Sequence, residues 1–143
     1  MKSNLSETAM KLFQKESNCA QAIFSVYGEQ LGLRKETCLK IASGFGGGIA
    51  RTRNVCGALT GAVMAIGLKC GGIKRGDREK TYEVAEELLS EFKTLHGSII
   101  CEELINHDLI TNNDVEQAFE KGVFDNCPKF VEDVSIILEK LIF

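Results

Sequence analysis

Proline occurs once in the 143 residues, tryptophan never, and no stretch alternates apolar and polar residues as a half-buried strand would. These absences predict an all-α protein, a compact multi-helix bundle. Positive charge is also short: 17 Lys and Arg stand against 20 Asp and Glu, a formal net charge of -3 with no basic stripe. Nucleic acid is therefore not expected as a partner. The longest apolar run, Val55 to Leu68, falls well below the roughly 20 residues that cross a bilayer, so no membrane-spanning segment is expected. The opening Met-Lys-Ser-Asn-Leu-Ser-Glu has no apolar core of the kind a secretory leader needs. A soluble, cytoplasmic protein is predicted, and the length suits one domain, residues 1–143.

Local cofactor motifs are missing too. No two cysteines have Cys-x-x-Cys spacing, which excludes a thioredoxin motif, a zinc ribbon and covalent haem attachment through Cys-x-x-Cys-His. Ile49 breaks Gly-x-Gly-x-x-Gly after Gly44 to Gly48, and no Gly-Lys-Ser/Thr follows, so nucleotide binding is unsupported. His96 and His107 are isolated; His96 ends a helix, where an imidazole suits the local dipole. Nothing marks a serine nucleophile or a carboxylate pair.

What the chain does have is six cysteines and a distinctive stretch from Gly44 to Gly72. In a chain without an export signal, the cysteines read as thiols, metal ligands or redox groups rather than permanent disulfides. The stretch opens with glycines that let the backbone turn sharply or approach a bound group: Gly46, Gly47 and Gly48. Arg51 and Arg53 add two fixed positive charges beside them. Asn54 is then placed to cap a helix carrying Cys56 in its first turn. That Gly/Ala-rich helix is apolar on all sides and is expected to be the buried centre of the bundle. Its small face, Gly57 to Gly61, would admit a close neighbour, either within the chain or in a homodimer.

The remaining helices follow from periodicity and caps. Leu5, Ala9, Leu12 and Phe13 form one face of a helix from Asn4 to Lys15. Ser17 or Asn18 caps a second helix, with Cys19, Ala22, Ile23, Val26 and Tyr27 on one stripe and Gly28 and Gly32 weakening its end. A short helix spans Lys35 to Ala42. Asp77 opens the longest helix, with Ala85, Leu88, Leu89, Phe92 and Leu95 facing inward and Gly97 closing it. Ser98 caps a short helix containing Cys101. Residues 106 to 113 read as a loop before a brief helix from Asp114 to Lys121. Asn126, Cys127 and Pro128 begin the last helix, on the stripe Phe130, Val131, Val134, Ile137, Leu138, Leu141 and Ile142.

Four cysteines thus fall in helix first turns: Cys19, Cys56, Cys101 and Cys127. Free N–H groups and the positive dipole end there favour a thiolate, which is both nucleophile and metal ligand. Cys38 reads as a core filler, and Cys70 sits at a helix C-terminus, where the dipole opposes a thiolate.

The segment Cys56-Gly57-Ala58-Leu59-Thr60-Gly61 carries a Cys-Gly-Ala-x-x-Gly signature. Together with Asn18-Cys19, the Phe-Gly-Gly-Gly run at Phe45 to Gly48, Gly97-Ser98 before Cys101, and Cys127 at a last helix start, it resembles the C_GCAxxG_C_C family over the whole chain. The family's label spells Gly-Cys-Ala where this chain has Cys-Gly-Ala. The resemblance implies a redox role for Cys19, Cys56, Cys101 and Cys127, an unidentified redox partner, and genes near those of membrane transporters. A related domain joined to a cytochrome is associated with an iron–sulfur centre.

Three readings stay open. In the first, the protein exchanges thiols and disulfides, with Cys56 the most reactive sulfur and Arg51 and Arg53 favouring its thiolate. In the second, the same four cysteines hold an iron–sulfur cluster, or less favourably zinc, bordered by Gly46 to Gly48 and the two arginines. In the third, the cysteines are packing residues of a non-catalytic interaction protein.

Overall fold

The computed structural model describes residues 3–143; Met1 and Lys2, part of the opening segment read above for a leader, lie outside the described residues. Eight α-helices are present among them: α1 (Asn4–Lys15), α2 (Cys19–Gln30), α3 (Lys35–Ala42), α4 (Gly57–Cys70), α5 (Arg78–His96), α6 (Cys101–Ile105), α7 (Asn112–Glu120) and α8 (Cys127–Ile142). The all-α expectation holds. None of the helices is long and apolar enough to cross a membrane.

Caps fix the helix starts where the sequence is explicit. Ser3 and Ser6 form a reciprocal capping box on α1, Asn18 and Gln21 another on α2, and Thr111 and Asp114 a third on α7. Gly97, at φ 83°, ends α5 in the left-handed conformation that glycine adopts without penalty. Gly28 does not weaken α2, which runs on to Gln30. A Cβ there would meet Cys38 Sγ at 2.6 Å, so the glycine is the notch that receives the buried Cys38.

Helix α4 is the centre of the bundle, packed against α2, α8 and α5. Its apolar surround is buried over the first turns, but Leu68 is exposed where the helix leaves the core. The small face is occupied by this chain's own α2: a Cβ on Gly61 would lie 2.8 Å from the Ala20 carbonyl oxygen, and one on Gly57 would lie 3.2 Å from the Cys19 Cβ. This close crossing sets the first cysteine beside the start of α4.

One face differs from the sequence reading. In α5 the row Val84, Leu88, Phe92 and His96 turns inward, while Leu95 is 61% exposed. Steps of four residues stay on one side of a helix, and Leu95 lies about 100° round from His96. His96 serves structure, its Nε2–H donating to the Asp133 carboxylate at 2.8 Å and its ring packing against Phe92 and Phe130. On the far side, the Glu139 carboxylate accepts from Ser3 Oγ and Tyr27 OH, each at 2.7 Å, and so ties α1 and α2 to α8.

Candidate functional site

Cys19, Cys56, Cys101 and Cys127 border one cavity of about 700 Å³. Cys19, Cys101 and Cys127 open α2, α6 and α8, and Cys56 is the residue immediately before α4. Sequence reasoning assigned two of the caps wrongly. Asn54 does not cap α4; its amide donates to Thr52 Oγ1 at 2.8 Å, and Cys56 holds the cap position. Ser98 accepts from the Ile100 N–H at 3.0 Å, and α6 begins only after Ile100.

The device that joins the second and third cysteines has no signal in the periodicity. Val55 and Ile100 form an isolated antiparallel bridge, in which the Cys56 N–H donates to the Ile99 carbonyl at 2.9 Å and the Cys101 N–H donates to the Asn54 carbonyl at 2.7 Å. Two backbone hydrogen bonds therefore clamp residues 45 apart in the chain side by side.

The chain reaches that bridge through an unusual turn. Gly47, Gly48, Ile49, Ala50 and Arg51 all have positive φ, between 51° and 68°, and Arg53 follows at 62°. Each non-glycine residue held there costs about 1–2 kcal/mol. Hydrogen bonds offset part of this, among them Ala50 N–H to Gly44 O at 2.8 Å and Asn54 N–H to Gly48 O at 2.8 Å. The glycines are needed for close approach to this chain's own atoms. A Cβ on Gly46 would strike the Asn18 side chain at 2.7 Å, one on Gly47 the Arg51 Cα at 2.8 Å, and one on Gly48 the Asn54 nitrogen at 2.6 Å. Gly48→Ala is expected to lower stability by about 2–4 kcal/mol. Gly44→Ala, where a Cβ meets nothing, should stay within about 1 kcal/mol; urea unfolding of the two variants checks the difference.

The two arginines part company. Arg51 borders the cavity, is exposed, and has no ion pair among the described residues. Arg53 lies outside it, bound to Asp108 at 3.1 Å and Glu102 at 3.6 Å and donating to the His107 carbonyl at 3.3 Å. It fastens the segment after α6, and its charge favours the Cys101 thiolate only against stronger opposing effects.

The sulfurs do not titrate alike. The neighbouring Cys127 sulfur holds the Cys19 thiol well above its usual range, helped by burial and by repulsion from Cys56. The Cys19 thiol in turn draws Cys127 below its usual value, against burial and the charge of Asp125. Burial pushes Cys56 up to about 12, although the Ala58 N–H favours its thiolate, and burial pushes Cys101 up to about 11. Burial thus opposes the thiolate that the start of α4 favours at Cys56. A helix dipole contributes about 0.3–1 kcal/mol, whereas burying a charge can move a pKa by several units at about 1.4 kcal/mol each. With limiting iodoacetamide at neutral pH, Cys127 should be alkylated before Cys56 by more than about tenfold in rate, read by peptide mass spectrometry of the four sites.

Among the described residues, no three His, Cys, Asp or Glu side chains converge closely enough to share one metal ion. Four thiolates closed around a single zinc do not fit the sulfurs as they stand. The rest of the wall is mixed, with Gln14, Lys15, Glu16 and Asn18 beside a group of aromatic rings. Phe13, Phe119, Phe124 and Phe130 border the cavity, a convergence from four separate segments that periodicity along the chain does not reveal.

A family model described as "Putative redox-active protein (C_GCAxxG_C_C)" matches residues 17–141. An uncharacterized protein of Archaeoglobus fulgidus is 30% identical over 115 residues, covering 72% of this chain and 76% of its own. No solved structure matches significantly. The match takes in every helix that contributes a cysteine to the cavity, so the chain belongs to the C_GCAxxG_C_C family.

Proposed function

We propose that the protein is a thiol–disulfide redox protein whose working pair is Cys19 and Cys127. The observation that carries this reading is that Cys19 and Cys127 open two helices on the wall of one cavity, close enough for each to shift the titration of the other, with Cys127 drawn below its usual value. Joining the two sulfurs at the bond length of about 2.0 Å gives a disulfide once an acceptor takes two electrons. In the oxidative half-cycle the Cys127 sulfur attacks one sulfur of an acceptor disulfide, and the first acceptor thiolate leaves. Cys19 then gives up its proton and attacks Cys127, the second acceptor thiolate leaves, and the two acceptor thiolates take up the Cys19 proton and one proton from solvent. Cys56 and Cys101, buried and protonated, border the pair without entering the exchange.

Titration of the reduced protein with a redox buffer, followed by peptide mapping, tests this. The expected product is one Cys19–Cys127 disulfide and a mass lower by two hydrogens; any other first pairing rejects it. A second reading, an iron–sulfur cluster on the four cysteines, is favoured by all four sulfurs facing one cavity from four helix starts. Such a cluster spaces its thiolates more widely than a single ion does and would supply one-electron transfer when bound. Visible absorption with iron and sulfide analysis of protein purified without oxygen supports that reading if positive in stoichiometric amount.

A further inference from the structure

Three of the four cavity cysteines are almost wholly enclosed, Cys56 at 5%, Cys101 at 8% and Cys127 at 6% exposure, while Cys19 is half-buried. A disulfide on the surface of a folded protein cannot reach Cys127 without entering the cavity. At about 700 Å³, the cavity lies within the roughly 300–1,000 Å³ of small-molecule pockets.

Its walls have two characters. One group is Phe13, Phe124 and Phe130 with Phe119, where the Phe119 and Phe124 ring centroids lie 4.9 Å apart with their planes tilted at 56°. Phe119 is 69% exposed, so its ring and that of Phe124 offer a continuous aromatic surface at the cavity to a ring that enters it. The other is Arg51, without an acidic partner among the described residues. Lys15 and Glu16 also border the cavity, but their charges cancel in sum, which leaves Arg51 as the excess charge.

Building on the redox reading above, we infer that the acceptor is a small organic disulfide with an aromatic body and an anionic group, its ring against Phe119 and Phe124 and its anion at Arg51. Exchange then runs as given: the small disulfide is reduced to two thiols, and Cys19 and Cys127 are oxidised to a disulfide.

The test uses the reduced full chain and four disulfides: 5,5′-dithiobis(2-nitrobenzoate), which is aromatic and anionic; 2,2′-dithiodipyridine, aromatic and neutral; cystamine, aliphatic and cationic; and insulin as a protein disulfide. Rates should saturate with the first at the lowest concentration, and insulin should react at least about a hundredfold more slowly. Arg51→Gln should raise the half-saturating concentration of the anionic probe about tenfold and leave the neutral one unchanged. Phe119→Ala, at an exposed position, should raise it for both aromatic probes and not for cystamine. Unsaturable rates with all four, equal effects of Arg51→Gln on charged and neutral probes, or insulin reduced as fast as the small molecules would each overturn the inference.

Binding is read separately by calorimetry on the Cys19→Ser/Cys127→Ser double variant, using the same anionic aromatic disulfide. Saturable binding lost in the added Arg51→Gln change supports the pocket whatever the chemistry, and no binding overturns it. Failure of the redox reading shows instead as no Cys19–Cys127 disulfide with any probe.

Discussion

Cys127→Ser is expected to abolish disulfide formation in the cavity and to slow thiol exchange by at least about a thousandfold, with Cys19→Ser equally unable to form the internal bond. The two losses differ in kind. Without Cys127 the sulfur with the lowered pKa is gone, and Cys19 has no neighbouring sulfur with which to form the bond. Without Cys19 the first attack still occurs, but the mixed disulfide has no resolving partner and should accumulate as a stable adduct, visible by mass. Cys56→Ser should retain exchange, because burial keeps that thiol protonated far above neutral pH. Cys70→Ser should change nothing, since that residue does not border the cavity. The pattern also separates the two readings of the site: a four-thiolate cluster would lose its colour in all of the Cys19, Cys56, Cys101 and Cys127 variants.

A large effect on stability is expected at Gly61, in the middle of the α2–α4 crossing. A methyl group there would sit 2.8 Å from the Ala20 carbonyl oxygen, 3.2 Å from the Ala20 Cα and 3.2 Å from the Ile23 Cβ. Two of these atoms are backbone and the third is a branch point, so none can swing aside; α2 and α4 must separate. Gly61→Ala should cost about 2–3 kcal/mol, and Gly61→Val should leave little folded protein. Gly67, in the same helix, is the control, since a Cβ there meets nothing within 4 Å. Gly67→Ala should stabilise by about 0.5–1 kcal/mol through helix propensity alone. At about 2–4 °C per kcal/mol for a chain of this size, thermal unfolding of the two alanine variants should diverge by about 5–15 °C in opposite directions from the parent. The crossing at Gly61 also sets Cys19 against the start of α4, so a folded Gly61→Ala protein should form its cavity disulfide more slowly.

Local chemistry alone determined much of this protein. The starts of α1, α2 and α8 are legible because caps, a first-turn proline and 3.6-residue stripes act within a few residues of themselves. The same local rule sets Cys19, Cys56, Cys101 and Cys127 at helix starts and Cys70 at a helix end, and these positions hold although α4 begins one residue after Cys56 and the capping residues of α4 and α6 differ. Tertiary structure decided the rest. How each sulfur titrates depends on burial and, for Cys19 and Cys127, on a neighbour 108 positions away. The left-handed turn from Gly47 to Arg51 places three non-glycine residues where intrinsic preference forbids them, and only the bridge between Val55 and Ile100 and its surrounding hydrogen bonds make that conformation the lower-energy choice. Likewise the separation of Arg51 from Arg53 came from acidic partners more than 45 residues downstream, Glu102 and Asp108, because a charge is fixed by what the fold sets within a few ångströms of it and not by its neighbours in sequence.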